Sequence, residues 1–236
     1  MKQNILILII TLPAFFLRSG STFAQVVPSD TIRARAWDSI AIKLLDYRFS
    51  ADAARPYLDS LEKVRSKFPG ADSIPYANLL FYEALYSYYK GNPNEGVKLM
   101  LEVIRLREKS GKYPRDSHPM ASAHNMLGLL LSNAGQHDLS LAHHRYAMEI
   151  RESIARRGGA FTFKNMPAYS YANVGQELGY LGENDQSIAF ILRALPDIRD
   201  SARYHYEMKG FVAALYSNLG GNYVNTRDHA LAEYYF

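Results

Sequence analysis

Seven histidines are the first place to look for metal or acid–base chemistry in this chain. His143 and His144 are adjacent, so on a helix they point to different faces and cannot share a metal. His124, His137 and His144 have no ligand spacing between them, and no His-Glu-x-x-His occurs, so no metal centre is expected. Neither a Gly-x-Ser-x-Gly nucleophile turn, a phosphate-binding loop nor a dinucleotide fingerprint is present. There is no cysteine, which excludes disulfides, thiolate zinc sites, iron–sulfur clusters and cysteine nucleophiles, and leaves the redox compartment open. Acidic residues are scattered among Lys and Arg, as a solvated helix face requires. These residues point to a chain that does no chemistry of its own and needs no cofactor.

Composition agrees with a folded chain. Its 236 residues are enough for a sizeable core, and 48% of them are hydrophobic, which excludes global disorder. The formal charge is only +4. Nucleic-acid binding requires basic residues clustered on one face, and the sequence gives no case for it.

The elements that would position any site follow from an internal repeat. Trp37–Tyr57, Leu80–Met100, His124–His144 and Tyr171–Ile191 superimpose, and a fifth copy begins at Tyr216. Each opens with an apolar helix carrying a small residue: Ala41, Ala84, Gly128, Gly175, Gly220. A turn follows, with Gly91, Gly135 and Gly182 in the middle three copies and Arg48 in the first. Twelve residues after the first small residue comes a second: Ala53, Gly96, Ser140, Ser187, Ala232. Four later stands a bulky or ring residue: Tyr57, Met100, His144, Ile191, Phe236. Two antiparallel helices approach closely only where side chains are small, and large neighbours fill the gaps on either side. The pattern therefore predicts helix A–turn–helix B hairpins, each leaving an apolar face that the next covers. The predicted fold is all-α: a right-handed solenoid of stacked antiparallel hairpins, about ten helices in all.

Residues 1–24 read as a secretory leader. Lys2 supplies a positive start, Ile5–Leu17 an apolar run, and Thr22-Phe23-Ala24 small residues before a cut, giving a mature start at Gln25. The run is short against the roughly 20 residues of a spanning helix, and no second apolar segment of that length follows. Residues 25–33 form a short linker and 34–236 the repeat array, with the last hairpin expected to be truncated at Phe236 in mid-helix.

The repeat resembles the tetratricopeptide family. Trp37 sits at that family's aromatic position near the start of helix A. Leu127-Gly128, Val174-Gly175 and Leu219-Gly220 match its apolar–small pair, Tyr223 its helix-A tyrosine, and Ala147 and Ala194 its late small residue in helix B. Repeat steps of 43, 44, 47 and 45 residues exceed the basic unit of about 34. Helix B or the linkers must therefore be longer. His118-Pro119 through Asn125, then Ala142 and Ile150-Arg151-Glu152, are similar to the long repeats of the kinesin light chain class.

The resemblance implies a concave groove lined by helix A and holding a peptide or protein partner. Carried over by position, the groove residues are Phe81, Tyr82, Leu85, Tyr88 and Tyr89; then Ser122, Asn125, Leu129 and Asn133; then Tyr169, Asn173, Gln176 and Tyr180; then Ser217, Asn218, Gly221 and Asn225. Tyrosine gives contact area at low entropic cost, and asparagine can pair with a peptide backbone. The Tyr76–Tyr89 cluster suits hairpin core as well as groove, since helical spacing does not separate the two. Asn173 and Asn218 fall on a position where some relatives hold a terminal carboxylate. Their neighbours Ala172, Ser217 and Gly221 supply no cation for one.

The functional expectation is an exported, non-catalytic binding scaffold. Two narrower expectations stand beside it. One is the periplasmic sensor region of a membrane signalling protein, a histidine kinase or helix-turn-helix regulator, by analogy of domain order. The other is a structural adaptor in an envelope assembly.

Overall fold

The computed structural model describes residues 39–40, 51–66, 73–161, 166–204 and 208–236. The leader, the linker and most of the first helix A, with Trp37, Ala41 and Arg48, lie outside the described residues. Nine helices are described: α1 Ala51–Ser66, α2 Ser73–Tyr89, α3 Pro93–Ser110, α4 His118–Asn133, α5 His137–Arg156, α6 Pro167–Tyr180, α7 Asn184–Tyr204, α8 Met208–Asn225 and α9 His229–Tyr235. Among the described residues there is no strand. α2, α4, α6 and α8 are the predicted A helices, and α1, α3, α5, α7 and α9 the B helices. Each helix packs on the next in the chain, so the hairpins stack in sequence order.

The spacing of small residues has a direct structural cause. A Cβ built on Gly128 would lie 2.7 Å from the His144 ring, one on Gly175 2.7 Å from Ile191 Cγ1, and one on Gly220 2.9 Å from the Phe236 ring. The bulky residue sixteen positions on thus lies directly over the small one. The second small residue closes the same crossing: Ser140 Oγ donates to Gly128 O at 2.8 Å, and Ser187 Oγ to Gly175 O at 2.6 Å. At Gly96 an added Cβ would collide with Leu130 of the next hairpin and lie 3.3 Å from Ala84 O.

The turns repeat just as closely. Gly91, Gly135 and Gly182 have φ of 70°, 74° and 83°, and Arg227 takes the same place in the last hairpin at φ 65°. Glycine meets that left-handed geometry without cost, while Arg227 strains against its own Cβ. Asp228 then caps α9, its carboxylate accepting from Leu231 N at 3.1 Å.

The extra repeat length goes into both helix B and the connections. α5 spans 20 residues and α7 spans 21, against 16 for α4 and 14 for α6. Core residues such as Leu127, Leu130, Ile191 and Leu219 are fully buried. Each stabilises the stack by about 1.5–3 kcal/mol.

Candidate functional site

Curvature decides which face could receive a partner. Alternate helices come closest among the A helices, where α2 meets α4 and α6 meets α8. The A helices are therefore the tighter, inner side of the stack. Their side chains bridge it. Asn173 Nδ2 donates to Asn125 Oδ1 at 2.8 Å across α6 and α4. Tyr169 stacks on Phe211 of α8 with ring centroids 4.8 Å apart.

One stripe of each inner helix stays open. α6 is buried along most of its length, except for Pro167, Tyr169, Gln176 and Gly179, which are half-buried, and Tyr180, which is 58% exposed. On α4 the stripe holds Ser122 and Leu129, half-buried, and Asn133, exposed. On α8 Ser217 and Asn225 are exposed, with Asn218 and Gly221 half-buried. On α2 Phe81, Tyr82, Tyr88 and Tyr89 are half-buried and pack against the core formed by α1 to α4.

Three residues expected in the groove are not open. Leu85 is core. Asn125 and Asn173 are 8% and 4% exposed and satisfy one another. A buried amide left unpaired is costly, so the two amides serve the joint between helices instead of facing solvent.

Two further polar links, between α5 and α6 and between α7 and α8, escaped the sequence reading. Glu177, 1% exposed, accepts from His137 Nδ1 at 2.9 Å, and the His137 ring lies 4.7 Å from that of Tyr180. Asn222 Nδ2 donates to Ser187 Oγ at 2.6 Å. The signal was present: Glu177 lies four residues after Asn173 and Asn222 four after Asn218, the helical spacing that puts them on one face.

The histidines are placed apart, as their adjacency required. His144 is 1% exposed, packed against Gly128, with neither ring nitrogen bonded. Burial, with lesser contributions from Arg151 and His143, pushes it down to about 3. His143 turns the other way, to His124, with their Nδ1 atoms 3.0 Å apart. Burial, aided by His143, lowers His124 to about 4. Both are neutral at pH 7. Among the described residues no three metal-ligating side chains meet.

Arg107 and Arg151 occupy one position on successive B helices and are both buried. Arg107 donates to Pro119 O at 2.7 Å and to Asn78 Oδ1 at 3.2 Å; Arg151 donates to Ser170 Oγ at 2.6 Å. Each reaches the start of the next helix A and so ties one hairpin to the following one. Burial brings Arg151 down to about 10, which leaves it charged at neutral pH.

No protein-family model matches this chain, and no curated protein matches it in sequence. Solved structures match it in shape. A chain described as a kinesin light chain with nearly identical TPR-like repeats, from Podosopora anserina, superimposes with a TM-score of 0.61 at 13% identity, covering 86% of this chain and 91% of that one. BtubC from P. vanneervenii gives 0.60 at 15% identity, covering 88% and 87%. MamA gives 0.51 at 15% identity, covering 85% and 88%. At such identities the likeness is one of fold: this chain is a right-handed solenoid of TPR-like helical hairpins.

Proposed function

We propose that this chain is an exported scaffold that binds an extended peptide, or an extended segment of a protein, along its inner wall and catalyses no reaction. The observation that carries the reading is the open stripe. Tyrosine, asparagine, glutamine and serine project from four helices whose opposite faces are locked in core. A rigid wall of this kind loses little entropy on binding, and its amides and hydroxyls can pair with a peptide backbone. Export rests on the leader pattern of residues 1–24.

Both halves of the reading are testable in cells making the full chain. Protein recovered outside the cytoplasm should begin at Gln25 by N-terminal sequencing; a retained Met1 contradicts cleavage. A photoreactive phenylalanine replacing Tyr180 should cross-link a partner, while one replacing Leu192 on the outer B layer should not. Cross-links from Leu192 and none from Tyr180 would place the partner on the wrong face.

A further inference from the structure

The two layers of the solenoid differ sharply in charge. The four described inner helices, α2, α4, α6 and α8, carry only Glu83, Glu177 and Lys209 as formal charges. Both carboxylates are held by partners. Glu83 accepts from Arg55 at 2.7 and 2.9 Å, and Glu177 is buried against His137. Lys209 stands in the first turn of α8, at one end of the wall. The open stripe between carries no charge at all. The outer helices are the reverse: α3, α5 and α7 are dense in both signs, and their charges pair within that layer, as Arg105 with Glu102 at 2.5 Å and Arg193 with Glu152 at 3.1 Å.

This distribution constrains what the wall accepts. A charged side chain laid along it gives up part of its hydration and meets no counter-charge, which disfavours it. A strand of nucleic acid finds no row of cations for its phosphates. An acidic tail finds no lysine or arginine fork. An uncharged polar segment gives up only hydrogen bonds to water. Gln176, Tyr180 and Asn218 can return these, since each offers a donor and an acceptor.

Resting on the peptide-binding reading above, we infer that the partner is an extended, uncharged polar peptide segment whose binding is almost independent of salt. Its length follows from the wall. Four helices spaced about 8–10 Å apart span about 30 Å, which about nine or ten extended residues cover.

The test uses the full chain and three synthetic peptide pools of about ten residues. One pool is built from Ser, Thr, Asn, Gln, Tyr, Gly and Pro. The second has Asp or Glu at every third place, and the third has Lys or Arg there. Binding is read by fluorescence anisotropy at about 50 and about 500 mM sodium chloride, a range over which exposed charge–charge attraction is largely screened. The uncharged pool should bind, change by less than about twofold with salt, and lose at least about tenfold in the Gln176→Ala/Tyr180→Ala protein. Leu192→Ala, on the outer layer, should bind as the parent does.

Preferential binding of the acidic or basic pool, weakened by salt and by the double substitution, overturns the inference and leaves the inner-wall reading standing. Binding that ignores the double substitution overturns the inner-wall reading itself. Failure of all three pools to bind overturns the inference of an uncharged peptide. Far-UV circular dichroism of each variant separates loss of contact from loss of fold.

Discussion

His144 shows how a single side chain can oppose the pattern it occupies. Its counterparts Met100 and Ile191 fill the same place with apolar atoms, fully buried. His144 brings two ring nitrogens to that place and pairs neither. An unmet buried polar group costs about 1–3 kcal/mol, so His144→Met should raise the stability measured by urea unfolding at pH 7 by about that amount. The pH dependence follows from linkage. In the unfolded chain this histidine titrates near its ordinary 6.5, and in the folded chain at about 3. Between those values the unfolded state binds a proton that the folded state refuses. Stability from this site is therefore complete above 6.5 and lost progressively as pH falls toward 3. At pH 5 the loss is about 2 kcal/mol, and His144→Met should remove that share of the difference between unfolding curves at pH 7 and pH 5. Equal pH sensitivity in parent and variant would show that His144 is not held neutral. That His143 and His144 face apart was legible from adjacency alone. The embrace of Asn125 and Asn173 was not, because spacing along one helix says which face a residue takes and nothing of how near the neighbouring helix comes.

At the scale of the helix, the repeat register was written in the glycines, and two of them test it in opposite directions. At Gly175 an added Cβ meets Ile191 at 2.7 Å and backbone at 3.1 Å. Gly175→Leu should destabilise the protein by several kcal/mol through overpacking of the α6–α7 crossing. At Gly221, one place beyond the small residue of the last hairpin, nothing lies within 4 Å. Gly221→Ala should stabilise α8 by up to about 1 kcal/mol through helix propensity. Urea midpoints of the two variants should therefore move apart; movement in the same direction would mean the register is wrong. Hairpins two to five could be read from sequence because close crossings demand small residues at fixed places. Arg227 is the informative departure. It takes the left-handed turn without glycine, and Asp228 after it supplies the cap that holds the turn. In the Tyr76–Tyr89 cluster, Phe81, Tyr82, Tyr86, Tyr88 and Tyr89 are half-buried against the core, and Tyr76 is exposed.

The described hairpins form two layers, with few charges on the inner helices and many on the outer ones. The stacking order and all-helical class were legible because each hairpin leaves an apolar face for its neighbour. The family resemblance implied that the A helices line the inner side; composition and spacing did not, because the approach of α2 to α4 and α6 to α8 depends on how the hairpins turn relative to one another. No described helix is long and apolar enough to cross a membrane. Binding along the inner wall is tested most directly by amide hydrogen exchange. The full chain is compared alone and with the uncharged peptide pool. Protection should rise along α4, α6 and α8 and stay unchanged along α3, α5 and α7. Protection confined to the outer helices would contradict the account.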